Sequence, residues 1–273
     1  MAEKVSPTLA NNVHQVLVSC LGTAFRTRKL ARNPIAELAK VPVRGDVNHG
    51  KVLDDEELQT LVQGFKGTVL YPIVAVAAFT GARRNEILSL RWDDLNIADS
   101  TLRIERTLEE TDRFGLRTKE PKTARGERTI KIDGDLLSLL LAERDRHLRI
   151  AAGIPDSAPV DLSLVKLPTG ALMFPSSPPR GESFSFTRLR NPRVVTAAFV
   201  RRAAKLGFPG LRFHDLRGSH ETLLLDRGVP VHTVAARCGH DPAVLLRSYA
   251  KRTRKADDKA AEVIAAISKR ALR

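Results

Sequence analysis

The chain has 273 residues, 42% hydrophobic and 28% charged, enough for a sizeable core and too apolar for wholesale disorder. Its longest apolar run, Val69 to Phe79, is 11 residues with Pro72 inside it, too short and too interrupted to cross a bilayer, and two cysteines, Cys20 and Cys238, exclude a disulfide framework. Forty-five Lys and Arg against 31 Asp and Glu leave a net charge of +14, which points to a polyanion whose counterions are released on binding. No basic, apolar, small-residue signal opens the chain, so a cytoplasmic, nucleoid-associated protein with no membrane partner is expected.

Ser6-Pro7 reads as an N-cap with proline at the first helical position, and Leu9, Val13, Leu17, Cys20, Leu21 and Ala24 repeat at helical spacing until Asn33-Pro34. No acid occurs from Lys4 to Ala36, where Arg26, Arg28 and Lys29 cluster as candidate DNA contacts. A linker over 34–51 separates this first region, 1–51, from a main domain over 52–273. Asp54 and Glu57 make a capping-box pattern, with Leu53 placed to staple onto Leu58, and one helix is expected from there to about Phe79. A turn at Thr80-Gly81 and a short helix through Leu90 follow.

Alternation over Thr101–Thr107 and again over Thr129–Ile132 predicts strands of one small antiparallel sheet. Asp135 to about Ile150 is helical, with Leu136, Leu137, Leu140, Leu141 and Leu148, and Gly153 to Arg190 is mostly loop. Helices near 192–206, 214–226, 231–238 and 242–250 come next, then an amphipathic tail carrying Ala260, Val263, Ile264 and Ile267. Ser183 to His214 again lacks any acid, which makes Arg188, Arg190, Arg193, Arg201, Arg202 and Lys205 candidate DNA contacts. The fold class is mainly α with a small antiparallel β-sheet.

Four fragments bear on chemistry. His214-Asp215-Leu216-Arg217 puts His214 and Arg217 on one helical face, and Gly239-His240 is followed nine residues later by Tyr249. Thr80-Gly81-Ala82-Arg83 turns into a helix with Glu86 one turn on, and Lys122-Thr123 precedes Gly126-Glu127-Arg128 at the entry to a strand. Taken singly, each is as well explained by packing or by a solvated face. In this order, with Leu90-Arg91-Trp92-Asp93-Asp94-Leu95 and Met173-Phe174-Pro175 between them, they resemble the tyrosine recombinase (phage integrase) superfamily from about Val52 to Arg254.

That resemblance implies the family's catalytic-domain fold and a site-specific recombinase that cuts and rejoins double-stranded DNA through a 3′-phosphotyrosine. No metal or cofactor is expected, and no ATP either, because the ester conserves the bond energy. Arg83 and Arg217 match the family arginines, whose planar forks suit the non-bridging oxygens of a phosphate. Tyr249 matches the nucleophile and Lys122 the acid that protonates the leaving 5′ oxygen. His214 matches the acid/base for the tyrosine proton, His240 the phosphate-contacting histidine, and Glu86 and Asp215 a supporting shell that holds cations in place.

Alternatives stand beside these roles. Arg84 neighbours Arg83, while Lys119, Arg125 and Arg128 neighbour Lys122. Tyr71 reads as core, His14, His49, His147 and His232 as surface or satisfied core, Cys238 as packing, and His220 as either. Two departures from the family pattern are plain. Gly218-Ser219-His220 replaces the more usual His-x-His, which predicts a weaker helix, and 1–51 resembles only the last helix or two of a larger N-terminal core-binding domain. Recombination would take a homotetramer on two duplexes, with the tail a candidate for docking on a neighbour. The competing functions are a truncated remnant that only binds DNA and a type IB topoisomerase-like relaxation activity.

Overall fold

The structure is a computed structural model and describes residues 7–35, 50–111, 113–120, 126–155, 159–252 and 265. Two compact units emerge, Met1–His49 and Gly50–Arg273. In the first, α1 (Pro7–Arg26) follows the expected periodicity and ends on Arg26, which donates to Thr23 Oγ1 at 3.0 Å. Arg28 turns the chain with φ 56°, and Arg26, Arg28 and Lys29 are all exposed. Ser6 and residues 36–49, the expected N-cap and most of the linker, lie outside the described residues.

The second unit opens on α2 (Asp55–Gly64), where the capping box forms: Glu57 N–H donates to Asp54 Oδ1 at 2.9 Å and Asp54 N–H to Glu57 Oε2 at 3.0 Å. The single helix expected to Phe79 is two helices. The chain turns over 65–70 before α3 (Tyr71–Thr80), with Gly67 left-handed at φ 78° and Pro72 in the first turn, the one helical place that tolerates its missing N–H. Apolar spacing hid the break because Phe65 and Leu70 enter the same core as both helices. Helix α3 is buried on nearly every side, and Tyr71 packs against that core.

A one-turn α4 (Arg84–Ile87) and a 3-10 turn, Trp92–Asp94, lead to β1 (Leu95–Asn96) and β2 (Thr101–Ile104). Among the described residues there are two small sheets, not one. β2 pairs antiparallel with β1 and with β5 (Arg128–Lys131), whereas β3 (Thr107–Thr111) and β4 (Gly115–Lys119) form a separate hairpin that the sequence reading missed. The hairpin lacks an apolar alternation. It is held instead by Glu109 across from Arg117, at 2.8 Å, and by Lys119 at 2.8 Å from the same carboxylate.

The remaining elements are α5 (Gly134–Ala152), α6 (Pro192–Lys205), α7 (Asp215–Asp226), α8 (Val231–Cys238) and α9 (Pro242–Arg252), close to the expected spans. Phe65 stacks on Phe199 with centroids 5.4 Å apart, joining α6 to the α2 end of the core. The Leu90 and Met173 segments lie together, with Met173 N–H donating to Leu90 O at 2.9 Å. His147 is a satisfied core histidine that accepts from Trp92 Nε1–H at 3.0 Å on Nδ1. Helix α7 runs unbroken through Gly218-Ser219. The Ser219 hydroxyl donates to Asp215 O and accepts from Leu53 N–H, both at 2.9 Å, so it ties the domain's entry to this helix. The amphipathic tail lies outside the described residues, among which no helix is long and apolar enough to cross a membrane.

Candidate active site

The site is built on the end of α8. That helix stops at Gly239, left-handed at φ 66°, and leaves its last carbonyls without helical partners at the negative end of the dipole. Three arginines take three successive carbonyls: Arg128 Nε–H donates to Arg237 O at 2.8 Å, Arg217 to Cys238 O, and Arg83 to Gly239 O at 3.0 Å. Arg217 also donates to Gly81 O at 2.7 Å, which pins the α3–α4 turn to α7.

The Thr-Gly-Ala-Arg turn has a local cause at every position. Thr80 Oγ1 donates to Val76 O at 2.6 Å, and Ala82 is buried. Gly81 is left-handed at φ 66°, and a Cβ there would stand 2.7 Å from the His220 ring and 2.9 Å from Cys238 Sγ, so glycine is required twice over. Arg83 is extended and opens α4, with its N–H and its guanidinium each 2.8 Å from the Glu86 carboxylate. Arg84 leaves in another direction, toward Asn85 and Thr196 on α6.

Glu86 is buried between Arg83 and Arg128, the latter at 2.7 Å. Burial alone would raise its pKa, but the Arg128 hydrogen bond and charge, with Arg83, hold it below the usual carboxylate range. Asp215 is also buried, and its partner is Arg212 at 2.8 Å rather than Arg83 or Arg217. His214 sits at the start of α7 and reaches solvent. Loss of water around part of the ring, then the Arg217 charge, lower its pKa, so the imidazole is neutral at pH 7. His240 Nε2 lies 3.1 Å from Arg217 Nε.

His220 is settled by its surroundings. It is buried, its Nδ1 lies 3.0 Å from Ala78 O, and Arg237 Nε–H donates to its Nε2 at 3.2 Å, so the proton sits on Nδ1 and the ring is neutral. Burial, then the Arg237 charge, push its pKa down from 6.5 to about 4. The unfolded chain therefore binds one more proton between those values, and stability falls as pH drops from about 6.5 toward 4. This one group contributes about 3 kcal/mol to that loss. Urea unfolding at pH 7 and pH 4.5 is expected to show His220→Gln with a shallower pH dependence than the wild type; equal slopes would refute the assignment. Cys238 packs beside it, its thiol pushed up by burial to about 11.

The structure thus brings Arg83, Arg217, His240 and Glu86 together, with His214 at the rim. Tyr249 is elsewhere. Its hydroxyl donates to Asp226 Oδ1 at 2.7 Å, and Asp226 ends α7, nine residues past Arg217 and about 13 Å along the helix axis. Lys122 lies outside the described residues. Among its alternatives, Lys119 is paired with Glu109 and Arg128 is committed to Glu86.

The expected DNA-contacting cations divide. Arg190 donates to the Phe174 and Pro175 carbonyls and Arg202 to Gly64 O, so both brace the fold. Arg188 pairs with Glu182, and Arg193 with Glu110 at 3.1 Å. Arg201 and Lys205, one turn apart on α6, are exposed with no ion pair among the described residues. The sequence reading missed two acids altogether: Asp226, and Glu221, which lies 3.0 Å from Arg217 and 2.9 Å from His240. Only the four-residue spacing of Glu221 from Arg217 could have signalled it.

A mainly helical domain with small antiparallel sheets is the fold of tyrosine recombinase catalytic domains. It superposes on the Tn1549 transposon integrase solved with transposon right end DNA at a TM-score of 0.72, with 17% identity over 97% of this chain and 81% of that one. Lambda integrase bound to DNA gives 0.55 at 16% identity, over 92% of this chain and 77% of that one. The chain belongs to the phage integrase family, whose model matches residues 51–255.

Among curated relatives it is 28% identical over 203 residues to a XerC-like tyrosine recombinase of Caldanaerobacter subterraneus subsp. tengcongensis (70% of this chain, 47% of that protein). It is 24% identical over 270 residues to the integrase of Mycobacterium phage L5 (96% of this chain, 64% of that protein). The chain therefore spans about half to two thirds of the length of these relatives.

Proposed function

We propose that this chain cuts and rejoins double-stranded DNA as a site-specific recombinase, with Tyr249 attacking a scissile phosphate to form a 3′-phosphotyrosine and release the 5′ oxygen. The observation that carries this reading is the fixing of Arg83 and Arg217 on adjacent carbonyls of one helix end, beside His240. Held there, two guanidinium groups offer preorganised positive charge to the non-bridging oxygens without reorganising during the reaction. That is the charge stabilisation a metal ion supplies in other phosphoryl-transfer enzymes, so no metal enters the scheme, and the energy kept in the phosphotyrosine ester makes ATP unnecessary for rejoining. His214, neutral at pH 7, accepts the tyrosine proton. Exposed Arg201, Lys205, Arg26, Arg28 and Lys29 meet the DNA backbone, and residues 1–49 serve as part of a core-binding region. Four protomers on two duplexes would complete strand exchange.

The test is a nicked substrate that traps the cleaved state. Covalent capture and strand exchange between two such sites are expected. Capture with plasmid relaxation but no exchange would make the protein topoisomerase-like, and DNA retention with no capture would reduce it to a binding remnant.

Lys122 has its own test. An alkoxide leaves poorly without a proton, whereas a 5′-bridging sulfur leaves unaided. Lys122→Ala is expected to be slow on normal DNA and largely rescued on the sulfur-substituted strand, while Arg83→Ala gains no such rescue. Rescue of Lys119→Ala in place of Lys122→Ala would move the acid three residues earlier.

A further inference from the structure

Arg128 opens β5 and is assigned no step in the reaction, yet its side chain, 7% exposed, is built into the arginine cluster. Its guanidinium grips the Glu86 carboxylate, with Nη2 at 2.7 Å from Oε2 and Nη1 at 3.3 Å from Oε1. Arg83 holds the same two oxygens, with its Nη1 2.8 Å from Oε1 and its backbone N–H 2.8 Å from Oε2. Both arginines then reach the end of α8, Arg128 at Arg237 O and Arg83 at Gly239 O. The contacts close a ring that runs from the helix end through Arg128, Glu86 and Arg83 and back to the helix end.

A carboxylate this close to Arg83 has two opposite effects. It aims the guanidinium, but its negative charge also offsets the positive charge that Arg83 would present to a phosphate. Glu86 is buried, so its charge has to be met by neighbouring groups rather than by water. Burial works against the ionised form, and the Arg128 hydrogen bond and charge do more than those of Arg83 to keep it. Without Arg128 the carboxylate would lose two of its four N–H donors. Arg83 is already on that carboxylate, is 41% exposed, and is held at Gly239 by one bond, so it is the cation placed to turn and replace them.

We propose that Arg128 is a positioning residue: it compensates the charge of Glu86, so that Arg83 stays on Gly239 O with its own charge left for a scissile phosphate. A guanidinium suits this task because its donors are spread over three nitrogens. They reach Arg237 O, Gly126 O and both Glu86 oxygens at once, which the single nitrogen of a lysine cannot do. The consequence for cleavage rests on the phosphotyrosine reading; the direction of Arg83 in the DNA-free protein does not.

Two measurements on the full chain test this. In a crystal structure of DNA-free Arg128→Gln, Arg83 is expected to leave Gly239 O and form a two-bond fork on Glu86. On a nicked substrate the same variant is expected to capture DNA about tenfold more slowly at unchanged DNA retention, the scale of one charge-assisted hydrogen bond. Adding Glu86→Gln removes the charge that Arg128 compensates. The double variant is therefore expected to return Arg83 to Gly239 O and to capture DNA faster than Arg128→Gln alone. A merely structural role predicts the reverse, since a second buried change would add to the first. The proposal is overturned if Arg83 stays on Gly239 O in Arg128→Gln, or if the double variant is no faster. Rescue of Arg128→Gln by a 5′-bridging sulfur would also overturn it, by showing that Arg128 acts on leaving-group protonation through Gly126. Should Arg128→Gln fail to fold, the double variant decides: Arg83 on Gly239 O upholds the proposal and Arg83 elsewhere overturns it. If no protein, wild type included, captures DNA while Arg83 moves as stated, the phosphotyrosine reading fails and the role of Arg128 stands.

Discussion

Tyr249→Phe is expected to abolish covalent capture of DNA on a nicked substrate while DNA retention is unchanged. The substitution removes one oxygen and leaves the ring, so α9 loses the hydrogen bond to Asp226, worth about 1 kcal/mol. The chain holds two tyrosines, and Tyr71 packs against the core, so no second phenol replaces the first. The same hydrogen bond makes a second outcome specific. Asp226 holds the hydroxyl at the C-terminal end of α7, and Arg217 is near the other end, so the bond must break before attack. Asp226→Ala is expected to speed capture by about fivefold, the worth of one such bond. A Phe variant that still traps DNA would show that another residue is the nucleophile.

The second large effect separates chemistry from binding. Arg83→Ala is expected to slow capture on the order of 100-fold, about 3 kcal/mol, the scale of one lost preorganised donor. Arg83 is 41% exposed, so its loss leaves the buried Glu86–Arg128 pair to hold the fold. Arg217 is 2% exposed and faces Glu221, so Arg217→Lys is the informative change: it keeps the charge against that carboxylate and loses the planar fork. A similar slowing is expected. Arg201→Ala, on the exposed side of α6, is expected instead to weaken binding to all sequences and flatten the salt dependence by about one phosphate contact. Equal capture defects for all three at equal DNA occupancy would refute the division of roles.

Much of the site was legible because its local parts are self-specifying. A threonine bonded back into its own helix, a glycine that turns and an arginine that opens the next helix fall within four residues, and the α8 stop at Gly239 is next to His240. The Asp54–Glu57 capping box reads directly from spacing. The β3–β4 hairpin did not, since ion pairs rather than apolar alternation hold it, and the break between α2 and α3 was masked by apolar residues that run through it.

The amino-acid sequence by itself determined most of the helices and the basic character, whose signals lie within a turn or two, while the resemblance carried by the order of its motifs singled out Arg83, His214, Arg217, His240 and Tyr249 as candidates. Tertiary structure alone decided where those side chains lead. Arg217 reaches carbonyls 136 and 21 residues away, Arg83 reaches one 156 away, and the Tyr249 hydroxyl goes to Asp226. It also decided that Arg190 and Arg202 brace backbone, that His220 is a neutral core histidine, and that Glu221 lies between Arg217 and His240. Charge and periodicity report what a residue is and which face it shares. Which acceptor a guanidinium finds depends on how α3, α7 and α8 pack, and that packing is set by contacts far apart in the chain.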